Sequence, residues 1–292
     1  TKHTKEGVLN EKLALKKLLT YMKSVYKIPQ KIKCLTDERK RKSIPLFNIV
    51  MPVLLFLMLQ YESFHTIFSA PESMSKRLKN CISGRIPKVD AVRDLLSRIN
   101  PDEIRSIHEE MIDIIKRNRV FREGTIGGYV VAGLDGVELF SSTKKSCPNC
   151  LSRKKHTGET EYFYRSVVCM IIGKSPHVIL GQEMLKPRDG SGKDEGELTG
   201  GKRLIERLKK RHGHFADVIV ADALYLNASF INILKENGLE GVIRLKDERR
   251  MIFQDAERLF KQDEGKKASF WKGKKKIEVW DLSGFEMEGC PY

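Results

Sequence analysis

Apolar residues recur at helical spacing through the first third of this chain and at strand spacing beyond it. Over residues 6–28, Leu9, Leu13, Leu19, Met22 and Tyr26 form a stripe with lysines between them, which predicts an amphipathic helix. Residues 45–69 predict a second, buried helical stretch that Pro52 would kink. Its most apolar part, Leu46 to Leu59, is too short to span a bilayer and contains Asn48 and Pro52. Residues 88–99 read as a short amphipathic helix after Ile86-Pro87. The next start is well marked: Asn100 can cap, Pro101 suits the first helical position, and Asp102 and Glu103 favour the helix dipole. Ile104, Ile107, Met111, Ile114 and Ile115 then share one face. A helical region over 1–120 is expected.

The pattern changes at Gly127-Gly128. Strands are predicted at 129–140, 161–173 and 177–186, then a helix from Gly196 to Arg211, a strand at 217–222, a helix at 228–237 and a strand at 241–246. Three strands followed by helix, strand, helix, strand is the order of a ribonuclease-H-like core. The expected class is therefore α/β, a mixed sheet with flanking helices over 126–250. Residues 251–292 add an amphipathic helix (Met251 to Phe260) and a Lys-rich segment with Trp271 and Trp280, read as the start of an inserted β region. Packing in a strand core is the expected use of both tryptophans.

Two of these apolar runs end on an aspartate. Asp135 follows Val130-Val131-Ala132-Gly133-Leu134, and Asp222 follows Val218-Ile219-Val220-Ala221. A carboxylate at the end of a buried strand is costly unless it is used or paired. In an open α/β sheet the ligand crevice lies at the carboxyl ends of the strands. Two carboxylates there could share divalent metal. Asp135-Gly136 alone would equally suit a hairpin turn.

Charge narrows the partner. The 292 residues hold 54 Lys+Arg and 38 Asp+Glu, a formal charge of +16. Residues 1–42 carry thirteen Lys/Arg against four acids, a net +9. Such a balance favours a polyanion, nucleic acid before an anionic membrane surface. Six cysteines in so long a chain do not make a secreted disulfide framework, so a reducing cytoplasm is expected. The chain begins at Thr1 and stops at Cys290-Pro291-Tyr292 without a closing element, and reads as part of a longer protein.

Gly133-Leu134-Asp135-Gly136-Val137-Glu138-Leu139-Phe140-Ser141-Ser142, Cys147-x2-Cys150-Leu151-x-Arg153 and Ala221-Asp222-Ala223-Leu224-Tyr225 together resemble the DDE transposases of bacterial insertion sequences. The group concerned is the large insertion-sequence-four-like assemblage, which has a β insertion before its last acidic residue. Ile86-Pro87-x3-Ala91-Val92-Arg93-Asp94-Leu95-Leu96 is similar to the helical region before that core. The likeness covers about residues 45–292. It implies DNA cleavage and strand joining by a carboxylate triad with two Mg²⁺ ions, Mn²⁺ being an acceptable substitute. Water would free a 3′-hydroxyl, which would then attack a target strand. Asp135 would be the first carboxylate and Asp222 the second, both as metal ligands. Partners would be double-stranded DNA, at transposon ends and target, and further copies of the chain when bound to DNA, with no membrane. A structure-specific nuclease and a non-catalytic DNA-binding remnant are the alternative readings.

The family's third carboxylate, a glutamate on a helix after the β insertion, is absent from the sequence in its usual pattern. Tyr162-x2-Arg165 begins such a pattern, but Cys169 holds the glutamate's place. Glu183 falls on an edge strand, and Glu195 and Glu197 precede a helix as dipole-favoured surface residues. The third ligand is therefore expected beyond Tyr292. Cys147-x2-Cys150 is half a zinc knuckle that His156 and Cys169 could complete, and a reduced thiol pair is preferred. Gly190-Ser191-Gly192-Lys193-Asp194 fails as a P-loop because Pro187 and Asp194 occupy its defining positions. His212-Gly213-His214 reads as a helix end rather than a metal site.

Overall fold

The computed structural model describes residues 14, 16–60, 87–173, 175–188, 193–262 and 266–291. The chain divides into two compact units, Thr1–Ile114 and Ile115–Tyr292. Leu9 and Leu13 of the first predicted stripe, residues 61–69 of the second, and Gly190-Ser191-Gly192 lie outside the described residues.

The first unit is helical where described. Helix α1 covers 16–24, α2 Ile28–Lys33, α3 Phe47–Met58 and α4 Val89–Leu96. Helix α5, Pro101–Arg117, crosses into the second unit. Met22, Ile28, Ile32, Ile49, Leu55, Phe56, Val92 and Leu95 make one buried cluster. Helix α3 keeps Pro52 inside it and ends at Met58, short of the expected residue 69. Gln60 then turns the chain with φ 58°, and Leu57, Met58 and Leu59 are exposed. At the start of α5 the Asn100 side chain accepts from the Asp102 N–H at 2.9 Å, the cap its sequence predicts. Its buried residue is Ile112, whereas Ile104, assigned to the apolar face, is exposed.

The second unit is mixed α/β. Its strands are β1 Val131–Ser142, β2 Leu151–Lys154, β3 Thr160–Ile172, β4 Val178–Met184, β5 Val218–Ala221 and β6 Glu240–Ile243. They form one sheet in the order β2-β3-β1-β5-β6, with β4 also on β3. β1 pairs antiparallel to β3 and parallel to β5, and β5 pairs parallel to β6. The parallel connections carry α6 Glu197–His212 and α7 Ala228–Glu236, as such crossovers require. α6 comes close to the sheet because it carries two glycines on its inner face. A Cβ on Gly200 would lie 2.5 Å from Leu185, and one on Gly201 2.8 Å from the Tyr225 ring. The core beneath is Leu134, Val167, Cys169, Ile171, Leu180, Leu204, Leu208, Ile219, Tyr225 and Phe230, all buried.

Strand β2 departs from the expected order, since Leu151-Ser152-Arg153-Lys154 has a single apolar residue. It is pinned by Arg153, which reaches Glu138 on β1 at 2.9 Å and Glu161 on β3 at 2.8 Å. Helix α8, Met251–Lys261, precedes a separate hairpin of β7 Lys266–Lys272 and β8 Lys275–Asp281. Trp280 packs on Phe260 at 6.0 Å between centroids, but Trp271 is 69% exposed and not in a core as its type suggested.

Candidate functional site

The β1–β5 pairing brings the two aspartates together along the sheet. Leu134 stands opposite Ala221 in the parallel register, and Asp135 and Asp222 are the next residues on those neighbouring chains. Paired strands run ~4.8 Å apart, so the two aspartates lie side by side where β5 ends, while β1 runs on past Asp135, which pairs with Val168 of β3. Both residues are exposed. Asp135 accepts from the Gly136 N–H at 2.8 Å, and Asp222 accepts from the Leu224 N–H at 2.9 Å. The second bond caps the short 3₁₀ turn Ala223–Tyr225, so Asp222 both ends β5 and starts the turn that buries Tyr225.

A third carboxylate reaches this edge. Glu197 is the first residue of α6, 9% exposed, and its carboxylate lies against the Cα of Gly136. A Cβ on Gly136 would fall 2.2 Å from Glu197 Cδ, so the glycine next to Asp135 makes room for it. Arg165 on β3 donates to it, with Nη2 at 2.5 Å from Oε1. Burial pushes the Glu197 carboxyl above its ordinary range. The Arg165 guanidinium opposes that shift, and the charges of Asp135 and Asp222 add to it.

The same three charges act on Tyr225. The residue is fully buried, and its hydroxyl has no hydrogen-bond partner. Burial first, then Glu197, Asp135 and Asp222, push its pKa well above that of a free tyrosine, so the hydroxyl stays protonated. Arg165 Nε is likewise buried without a partner. The edge therefore holds three carboxylates, one guanidinium and one buried hydroxyl with hydrogen-bonding capacity to spare.

Sequence reasoning placed Glu195 and Glu197 on the surface as dipole-favoured acids, and this is corrected. Glu195 is 6% exposed and is tied to Arg203 and to the Lys186 N–H at 2.8 Å. Arg203 also binds Glu183 at 2.9 Å, which makes that acid part of the brace between β4 and α6. The signal that could have found Glu197 is the pair of glycines three and four residues after it. Small residues on one helix face mean a close approach to the sheet, which carries the start of the helix to the strand ends.

The arrangement suits hard, oxygen-preferring cations, because Asp135, Asp222 and Glu197 all present carboxylate oxygens. As the side chains stand, no three His, Cys, Asp or Glu residues are grouped tightly enough to hold one ion among the described residues. Glu197 is engaged with Arg165 instead.

Cys147 and Cys150 lie in the loop before β2 with their sulfurs 3.0 Å apart, and Cys147 meets the Tyr164 hydroxyl at 2.6 Å. The Cys150 interaction and then the Tyr164 interaction lower the Cys147 pKa, favouring its thiolate. Cys169, which the zinc reading offered as a further ligand, is fully buried on β3, and burial pushes its thiol up to about 12. His212 ends α6, and Gly213 closes it by donating to the Lys209 carbonyl at 2.8 Å.

The chain matches no model of a known protein family, and no curated protein matches it. No helix among the described residues is long and apolar enough to cross a membrane.

Proposed function

We propose that this chain is a DDE-type DNA transposase, with Asp135 and Asp222 as two of its cation-binding carboxylates. The observation that carries the reading is the parallel pairing of Leu134 with Ala221, which sets the two aspartates side by side at one sheet edge. The strand order supports a ribonuclease-H-like core. Its first three long strands run antiparallel, and two parallel strands follow on the other side of β1. The net charge of +16 supports DNA as substrate, because lysines and arginines must neutralise the phosphates that such acids would otherwise repel.

Two Mg²⁺ ions, when bound, would supply Lewis-acid stabilisation of the attacking and leaving oxygens in an in-line phosphoryl displacement. The chain's own part is to hold oxygen ligands at fixed positions. Asp135 is fixed by the Gly136 N–H and Asp222 by the Leu224 N–H, each bond leaving oxygen lone pairs free toward solvent. Basic side chains would position the duplex by its phosphates and carry no sequence information themselves.

The test uses duplex DNA carrying the element's ends. Asp135→Asn and Asp222→Asn should each abolish Mg²⁺-dependent cleavage and leave DNA affinity unchanged or slightly higher. Cleavage that survives both substitutions would refute the assignment. Binding without any cleavage by the unsubstituted protein would favour a DNA-binding remnant.

A further inference from the structure

We propose that Cys147 and Cys150 are a reversible dithiol/disulfide pair, in which Cys147 attacks small-molecule disulfides and Cys150 resolves the adduct. The proposal is independent of the transposase reading, since it uses none of the residues at the Asp135–Asp222 edge.

The backbone brings the two thiols together. The Cys150 N–H donates to the Cys147 carbonyl at 3.1 Å, which closes a turn over Cys147-Pro148-Asn149-Cys150. Proline suits the second position of a type I turn, and Asn149 in the third is not left-handed. Such a turn holds its end Cα atoms less than ~7 Å apart, close to the separation that a disulfide spans. The sulfurs stand 3.0 Å apart as free, half-buried thiols. They need approach by only about 1 Å to bond. Ring closure therefore needs no refolding of the loop.

The two thiols have different surroundings. Cys147 meets the Tyr164 hydroxyl of β3 at 2.6 Å. The Cys150 thiol first, then Tyr164, then the backbone at Asn149 and Cys150, outweigh burial and hold the Cys147 pKa below that of an ordinary thiol. Tyr164 is pushed above its ordinary range, mainly by Cys147, so its hydroxyl remains a donor to the thiolate. A stabilised, accessible thiolate beside a second thiol is the arrangement of redox-responsive pairs. Cys169 is the contrast within the same sheet: fully buried, with its thiol pushed up to about 12, it stays inert.

The exchange balances as follows. The Cys147 thiolate attacks one sulfur of a disulfide RSSR, a Cys147–SR bond forms, and RS⁻ leaves. Cys150 gives its proton to that RS⁻ and attacks the Cys147 sulfur. The Cys147–Cys150 bond forms and the second RS⁻ leaves. The pair is oxidised by two electrons and RSSR is reduced by the same two. Closure takes the Cys147 thiolate from Tyr164, and an added dithiol reverses it.

The experiment exposes the folded 292-residue chain to glutathione disulfide, quenches with acid and N-ethylmaleimide, and weighs tryptic peptides. Ser146–Arg153 follows Lys145 and ends on a cleavable arginine, so one peptide holds Cys147 and Cys150 and no other cysteine. In the unsubstituted chain that peptide should become lighter by two hydrogens and carry no glutathione, and dithiothreitol should restore it. Cys150→Ser should stall with glutathione on Cys147. Cys147→Ser should take up glutathione on Cys150 roughly tenfold more slowly than that. Tyr164→Phe should move the midpoint of the closure rate against pH upward, which a merely structural role would not do. Closure in the unsubstituted chain should also be several-fold faster in water than in urea, and that comparison decides if a variant fails to fold. A peptide that never closes, or that carries glutathione on both thiols, would overturn the pair, as would equal closure rates in water and urea. Equal uptake by the two serine variants would overturn Cys147 as the attacking thiol. An unmoved midpoint in Tyr164→Phe would overturn the part given to the hydroxyl.

Discussion

Replacing Gly136 with alanine isolates the close approach on which the site's geometry turns. Within a strand, Gly→Ala ordinarily stabilises by roughly 0.5–1 kcal/mol through backbone entropy. Gly136 lies in β1 and does not adopt a left-handed φ, so that gain would apply. Against it stands the added methyl, 2.2 Å from Glu197 Cδ and 2.5 Å from Oε1. Overpacking of this kind costs about 1–3 kcal/mol. The obstacle is a buried carboxylate whose retreat would disturb its bond to Arg165, so it gives way less easily than a flexible chain end. The net expectation is a loss of roughly 0.5–2 kcal/mol. For a unit of this size, each kcal/mol moves the melting temperature by about 2–4 °C. The assay is a thermal or urea melt of four proteins: the unsubstituted chain, Gly136→Ala, Glu197→Ala and the double variant. Removing the Glu197 carboxylate should abolish the cost of the methyl, giving a coupling of about 1–3 kcal/mol. A Gly136→Ala variant as stable as its parent, or a double variant in which the two effects simply add, would refute the placement of Glu197 against Gly136.

Other outcomes follow from the same edge and its supports. Tyr225→Phe should raise stability by about 1 kcal/mol in urea melts, because it deletes a buried hydroxyl that has no partner. Arg203→Met should destabilise by about 2–3 kcal/mol, somewhat less than a fully buried pair, since Arg203 is 29% exposed and holds both Glu195 and Glu183. Burial alone would raise Glu195, but Arg203 and the Lys186 N–H bring it below its ordinary 4.5. Its stabilising contribution should therefore be complete above pH 4.5 and be lost as pH falls through the lowered value, as acid melts of Arg203→Met against its parent would reveal. Lys40, Arg41 and Lys42 are exposed, and changing all three to Gln should reduce the slope of log DNA affinity against log salt by about 0.9 for each phosphate no longer neutralised. Deleting residues 1–42 outright would also remove Met22, Ile28 and Ile32 from a buried cluster, so charge substitution is the cleaner measurement.

Strands β1 and β5 were legible in the sequence because each opens on an apolar run; β5 is closed by Asp222 and a turn, whereas β1 runs on past Asp135 to Ser142. The start of α5 was legible because Asn100, Pro101, Asp102 and Glu103 all favour the same boundary. β2 was not, since it is held by Arg153 from the side and has almost no apolar pattern of its own. Helix α3 is shorter than its sequence suggests because a run of leucines carries no stop signal, and the stop is a left-handed Gln60 that sequence alone does not announce. Glu197 was missed for a different reason. An acid at the first helical position has a sufficient local explanation in the helix dipole. Its burial depends on how closely α6 approaches the sheet, a tertiary fact that needs Gly136, distant in the chain, as well as the nearby Gly200 and Gly201.

The central claim is that the Asp135–Asp222 edge directs a divalent cation at DNA phosphates. It is tested most directly by nicking of supercoiled plasmid in Mn²⁺, comparing the chain with an Asp135→Asn, Asp222→Asn double variant at equal DNA occupancy. The account predicts Mn²⁺-dependent nicking by the unsubstituted chain that chelation stops, and a loss of about a hundredfold or more in the variant, whose charges no longer hold the ion. Equal nicking by the two proteins, or nicking indifferent to chelation, would contradict it.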